Sequence, residues 1–212
     1  PIDPVRFIGN RSSGRMGFAL AEAAVAAGAA VTLVAGPVHL PTPARVERID
    51  VRSPRQMHEA VLSRAAHVDV YIGAAAVADF RPSVVATAKI KKSGGGAAPA
   101  LALEITEDIL AAVAALPQRP FTLGFAAETG DVEAYARGKF ERKRLDLIAA
   151  NRVGEPGSGF DCDDNALLLL GADGWRQDLG RAPKRVLATR LVAIVAERLA
   201  HDGRPAQRGT GA

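Results

Sequence analysis

Apolar positions along the chain gather into short runs, and between the runs the apolar spacing turns helical. Val31-Thr32-Leu33-Val34-Ala35 is one run, halted by Gly36-Pro37. Val46 to Ile49 is a second, and Val68 to Ala74, nearly all apolar, is predicted to be a central strand. Leu101 to Ile105 alternates as a strand does, and Phe121 to Phe125 and Leu145 to Ala149 read as further strands. In the helical intervals, Arg11 to Ala27 presents Phe18, Leu20, Ala21, Ala24 and Val25 on one face. Ser12 or Ser13 is placed to cap it, and Gly28 to close it. Ser53-Pro54 opens a helix through Arg64, with proline where a missing N–H does no harm. Thr106-Glu107-Asp108 caps a helix through Leu116, and Asp131 to Arg144 is a basic helix. A hairpin (Ala166 to Leu170, Gly174 to Leu179) and a helix from Pro183 to about Leu199 close the pattern.

Strands alternating with helices predict an α/β fold: a Rossmann-like, doubly wound, mostly parallel sheet flanked by helices, with a C-terminal hairpin. We expect a single nucleotide-binding domain over residues 1–200, a flap at about 92–99, and a disordered polar tail at 201–212. No internal repeat is visible. In such sheets ligands lie beyond the carboxyl ends of the strands. The loops after 68–74, 121–125 and 145–149 are therefore where chemistry is sought.

Composition narrows the classes. The chain of 212 residues is 48% hydrophobic and 24% charged but only 5% aromatic, so its core is aliphatic. No apolar run reaches the length of a membrane span and no signal pattern opens the chain, which makes cytoplasm the expected location and excludes membrane as a partner. The one cysteine, Cys162, allows neither an internal disulfide nor a cysteine zinc cluster, and His39, His58, His67 and His201 lack metal-ligand spacing. A net charge of +4 and a pI near 9.6 favour acidic partners. The basic residues are dispersed and stacking aromatics are scarce, so a nucleotide or phosphorylated metabolite fits better than nucleic acid. A nicotinamide-dependent reductase on the same fold is the alternative, but it requires GxGxxG, and Gly9, Gly14 and Gly17 are spaced otherwise.

The densest charge is Lys89-Ile90-Lys91-Lys92, opening into Ser93-Gly94-Gly95-Gly96. An ammonium about 4 Å from a phosphate is worth roughly 4 kcal/mol of gross attraction at an effective dielectric near 20. The helix start at Gly9 to Gly17 offers an anion only about 0.3–1 kcal/mol, so the lysines dominate and the helix start orients. Asp79 ends an apolar strand and can accept hydroxyl hydrogen bonds. Gly73, Ala74 and Ala75 are small enough to admit a ligand against the backbone, or to pack a helix closely. Lys139 and Lys143, four apart, share one helical face.

Gly9-Asn10-Arg11-Ser12-Ser13-Gly14, Ala75-Ala76-Val77-Ala78-Asp79, Lys89-Ile90-Lys91-Lys92, Gly124-Phe125-Ala126-Ala127-Glu128-Thr129 and Asp146-Leu147-Ile148-Ala149-Ala150-Asn151 occur in that order. Together they resemble the phosphopantothenoylcysteine synthetase domain of bacterial coenzyme A biosynthesis, over nearly the whole chain. The resemblance implies ligation of 4'-phosphopantothenate to L-cysteine through an acyl-cytidylate, with CTP as cosubstrate and Mg2+ carried on the triphosphate. It implies Lys89 as the catalytic cation and Asn10 as the residue that handles the intermediate. Nucleotide contacts are implied for Gly73, Ala74, Ala75, Asp79, Phe125 (base), Lys139, Lys143 and the backbone of Glu107-Asp108-Ile109-Leu110, with no metal held by protein alone. Glu107 stands where proline is frequent, and Arg15 where lysine is. A homodimer is implied, as is fusion to a flavin-dependent decarboxylase, and a Gly-Gly-Thr strand end is expected upstream of Pro1.

Overall fold

The computed structural model describes residues 1–91, 100–128, 130–152 and 163–201. The expected flap at 92–99, most of the expected tail, Thr129 and Cys162 lie outside the described residues.

Helix α1 (Arg15–Ala26) is entered through Gly14, whose φ of 74° is left-handed. This corrects the expected serine cap: no side chain caps α1, and the Ser12 hydroxyl instead accepts from the Gly14 N–H at 3.4 Å. Glycine is required twice over here, because a Cβ at 14 would also stand 3.0 Å from Val38 Cγ1. Strands β1 (Val31–Ala35) and β2 (Val46–Asp50) pair in parallel, and α2 (Pro54–Ala65) starts at Ser53-Pro54 as the sequence predicts, the Ser53 hydroxyl accepting from the Gln56 N–H.

The central sheet has the order β3 (Val70–Gly73), β6 (Phe121–Glu128), β7 (Leu147–Arg152), β8 (Asp164–Gly171), β9 (Arg176–Pro183). Strands β3, β6 and β7 run parallel, and the β8–β9 hairpin adds two antiparallel strands. The hairpin turn carries Trp175, over which the Arg198 guanidinium stacks at 3.8 Å. A separate antiparallel pair, β4 (Phe80–Pro82) with β5 (Leu103–Ile105), projects between β3 and α3 (Ile109–Ala114). Strand β4 is absent from the sequence reading.

Strand alternation sends side chains to two cores, with helices on both faces. Phe121, Leu123, Leu147 and Ala149 meet Leu20 of α1 and Leu187 and Leu191 of α5 (Lys184–His201). Ala126, Ile148 and Ala150 face Leu110 of α3 and Ala136 of α4 (Val132–Lys143). Gly124 lies on the second face and is tightly packed: a Cβ there would be 2.6 Å from Leu110 Cδ2 and 2.8 Å from Leu145 Cδ1, so those methyl groups would have to shift.

The amino ends of β6 and β7 are clamped by polar groups. Arg119 donates twice to Asp146, at 2.7 and 2.9 Å, and Asp146 Oδ2 also accepts from the Thr122 N–H at 2.8 Å and its hydroxyl at 2.9 Å. Asp146 opens one of the sequence motifs, yet it lies at the strand end opposite the site.

Candidate nucleotide site at the carboxyl end of β3

Gly73 closes β3 opposite Gly124 of β6, and the chain leaves the sheet through Ala74 to Asp79. A Cβ at Gly73 would meet Leu110 Cδ1 at 3.3 Å, so here the glycine serves close strand–helix packing. Ala74 is partly buried and Ala75 exposed, forming a small-residue surface beyond the strand end.

Asn10 reaches this surface from the segment before α1. Its amide donates to the carbonyls of Ala76 (3.2 Å) and Val77 (3.1 Å), which spends both N–H groups on the chain and leaves Oδ1 for a ligand. Asp79 is exposed, and its carbonyl accepts from the Thr106 N–H at 2.9 Å, joining the loop after β3 to the start of α3.

The sequence reading of an Asp108 cap holds: Oδ1 accepts from Ala111 N at 3.0 Å. Ile109 and Leu110 are buried at 5% and 9% exposure, so any ligand contact from them is a backbone contact. The charge of Glu107 is countered by Arg81, 3.8 Å away, whose Nε also stands 2.9 Å from Glu104. Glu107 titrates below its usual range, chiefly through its own backbone N–H, with Arg81, His58 and Arg55 adding to it.

Helix α4 brings its two lysines to separate anchors. Lys139 donates to the Phe125 carbonyl at 2.8 Å, and Lys143 pairs with Asp108 Oδ2 at 2.7 Å. Phe125 lies one residue past the last β3–β6 pair, so the Lys139 ammonium sits at the carboxyl end of β3. Phe125 itself is half-buried against the α1/α5 core. Burial pushes Asp108 up, but the Lys143 hydrogen bond, the Ala111 N–H and the Lys139 charge outweigh it, and the carboxyl titrates below its ordinary range. Tyr71, on β3, is pushed up to about 12 by burial and the Asp108 charge, so its hydroxyl keeps its proton.

Lys89 is exposed, and Ile90 beside it is tied to Asp3 and Arg6. The fold thus brings Asn10 and Lys139 to one strand end, pairs Lys143 with Asp108, and places Lys89 on a segment anchored to the chain that carries Asn10. Sequence reasoning missed Asp3, Arg6, Tyr71 and Arg81. Asp3-Pro4 is a turn signal that could have marked the first two.

A family model, "DNA/pantothenate metabolism flavoprotein C-terminal domain", matches residues 1–199. Among curated proteins, the coenzyme A biosynthesis bifunctional protein CoaBC of Vibrio cholerae is 52% identical over 199 residues, covering 93% of this chain and 50% of that protein. The Escherichia coli K12 CoaBC is 52% identical over 176 residues, covering 82% of this chain and 43% of that protein. The chain therefore spans about half the length of the curated relatives it matches. Among solved structures, a C-terminal domain of CoaBC superposes with a TM-score of 0.79 at 37% identity, covering 95% of this chain and 90% of that one. A Cab2 variant in complex with phosphopantothenate-cysteine shares the fold, with a TM-score of 0.74 at 15% identity, covering 97% and 85% of the two chains. With 199 consecutive residues matched and half of them identical in the Vibrio cholerae protein, the chain belongs to the DNA/pantothenate metabolism flavoprotein C-terminal domain family.

Proposed function

We propose that the chain is a CTP-dependent ligase that joins 4'-phosphopantothenate to L-cysteine. The observation that carries this reading is the polar grouping beyond β3, where Asn10 donates to the Ala76 and Val77 carbonyls and Lys139 to the Phe125 carbonyl. Cations and hydrogen-bonding groups meet there over a small-residue surface, which suits a nucleotide and supplies no nucleophile triad. The bifunctional relatives named for coenzyme A biosynthesis support the substrate assignment.

A carboxylate resists nucleophiles, so it must first be activated. In the first step a carboxylate oxygen of phosphopantothenate attacks the α-phosphorus of CTP. The bond to the β-phosphate oxygen breaks and pyrophosphate leaves. Lys89 stabilises the negative charge that accumulates on the α-phosphate. Lys139 and Lys143 hold the nucleotide, Asp79 takes ribose hydroxyls, and Gly73 to Ala75, Phe125 and the 107–110 backbone bound the cytosine. In the second step the cysteine nitrogen attacks the acyl carbon, a proton leaves the nitrogen, and CMP departs. Asn10 holds the acyl-cytidylate through hydrogen bonds during this step.

Mg2+ supplies charge neutralisation on the triphosphate when bound. We take this ion to enter on the nucleotide. No described helix is long and apolar enough to cross a membrane, and we assign the reaction to the cytoplasm. We further read the chain as the synthetase half of a protein fused to a flavin-dependent decarboxylase. We also read it as a homodimer and propose the β4–β5 face as the contact, because Phe80, Leu103 and Ile105 are 54%, 49% and 79% exposed there.

Pyrophosphate release from CTP and Mg2+ should require phosphopantothenate, and CMP should appear only on adding cysteine. ATP should substitute poorly, because the family resemblance implies a base pocket at Ala74–Ala76 and Asp108–Ile109 sized for a pyrimidine. Equal turnover with ATP would remove the nucleotide assignment. Oxidation of a nicotinamide cofactor without pyrophosphate release would favour the reductase.

A further inference from the structure

We propose that Asp3 is a positioning residue for Lys89, which it serves by fixing the peptide bond that follows the lysine. This rests on the role of Lys89 in the proposed ligase. Asp3 is buried at 1% exposure, and both its oxygens are occupied. Oδ1 accepts from the N–H groups of Val5 (2.9 Å) and Arg6 (2.8 Å). Oδ2 accepts from Arg6 Nε (2.9 Å), from Arg6 Nη2, and from the N–H of Ile90 at 3.2 Å. Arg6 Nη2 then donates to the Ile90 carbonyl at 2.9 Å, so the Asp3–Arg6 pair holds Ile90 by both its backbone groups. Four residues earlier the Ala86 N–H donates to the Ile2 carbonyl at 3.0 Å.

The Ile90 N–H belongs to the planar peptide unit that starts at Lys89. Fixing that plane restricts the lysine backbone while its side chain stays exposed. The hydrogen bond from Arg6 holds the Asp3 carboxyl well below the usual carboxylate range; burial opposes this, and the Val5, Arg6 and Ile90 N–H groups add to it. The anchor is therefore charged throughout the pH range of the reaction, and it does not act as a pH switch. The same segment continues to Asn10, which grips the loop after β3. Asn10 is only four positions after Arg6, at most about 14 Å of extended chain. Residues 2–10 thus set the two residues assigned to the two half-reactions relative to each other, and Asp3 is the buried group on which the Lys89 side of that strap closes.

The test compares the parent chain with Asp3→Asn, Lys89→Gln and the double variant in single-turnover reactions with CTP, Mg2+ and phosphopantothenate. Asparagine keeps the size and one acceptor but loses the charge that holds Arg6. Asp3→Asn should slow pyrophosphate release about 10- to 100-fold, the scale of a misplaced catalytic group. The amplitude should be unchanged, since unfolding lowers amplitude and leaves the rate constant of the folded fraction alone. Aminolysis of acyl-cytidylate already formed should keep its parent rate constant. In the Lys89→Gln background, Asp3→Asn should add nothing, because both act through one group. Amide exchange supplies an activity-independent readout: the Ile90 N–H should be protected in the parent and lose at least about tenfold protection in Asp3→Asn.

A parent rate constant in Asp3→Asn, an equal further loss in the double variant, or an unprotected Ile90 in the parent would each overturn the proposal. If Asp3→Asn does not fold, Ile90 protection in the parent decides alone. If the parent releases no pyrophosphate, the ligase reading fails, and with it the purpose assigned to the anchor.

Discussion

Lys143 of α4 reaches Asp108 across 2.7 Å while the other oxygen of the same carboxylate caps α3. A cation assigned to the nucleotide is thereby held in place by the residue that starts the neighbouring helix. Lys143→Met removes the charge but keeps most of the stem. It should weaken nucleotide binding by about 1.5–3 kcal/mol, the range of hydrogen bonds to charged groups. Titration calorimetry with CTP and Mg2+ measures it, and an unchanged affinity would detach Lys143 from the site.

The same pair predicts a pH dependence. Asp108 titrates below its unfolded value, so its contribution to stability is present above the unfolded carboxyl pKa of about 3.9 and is lost as pH falls through the folded value. Parent and Asp108→Asn should therefore differ in urea stability at pH 7 and converge in acid. A difference that grows below pH 4 would have the wrong sign for this ion pair.

The two half-reactions should respond to different variants. Lys89→Gln keeps a similar reach but removes the charge, and should cost about 3–4 kcal/mol, a hundred- to thousandfold, in the pyrophosphate step. Asn10→Asp replaces the amide that holds Ala76 and Val77 with a negative charge, and should harm amide formation more than pyrophosphate release. The assignment fails if Lys89→Gln matches the parent, or if Asn10→Asp blocks only the first step.

Gly124→Ala tests the packing beneath the site. A methyl group there would overlap Leu110 and Leu145, both of which lie in the α3/α4 core. The overlap should destabilise the fold by about 1–3 kcal/mol, as overpacked cores do. Urea denaturation reads it, and a neutral result would mean that α3 can shift away from β6 without loss.

Ile105→Glu addresses assembly. Ile105 is 79% exposed on a two-stranded pair whose neighbours Phe80 and Leu103 are also exposed. A charge on each copy should convert dimer to monomer in sedimentation experiments at micromolar concentration. A parent that is already monomeric would remove the β4–β5 face as an interface.

Long elements were the legible part of the sequence. Strands β6 and β7 follow from their apolar runs, and helices α3 and α4 from Asp108 and Asp131, whose side chains cap as their positions suggest. The serine cap of α1 was misread because the chain enters through a left-handed glycine, a conformation that a hydrophobic pattern does not encode. Strand β4 is three residues ending in Pro82 and exists only through pairing with β5 about twenty residues away, so it carries no local signal. For the site, the spacing of Lys139 and Lys143 was visible but their anchors were not. Phe125 and Asp108 are brought to them by tertiary packing. The Asp3–Ile90 contact joins residues 87 positions apart, beyond the reach of any periodicity.

The Arg119–Thr122–Asp146 clamp has a consequence for how this fold can change over generations. Asp146 and Asn151 belong to one motif yet stand at opposite ends of β7, about 17 Å apart along a strand. The polar clamp fastens the sheet at the far pole, where no ligand is expected. Replacements among the loops beyond β3 can then accumulate without unfastening β6 from β7. Lineages carrying this domain would be able to exchange one nucleotide preference for another while inheriting the same foundation.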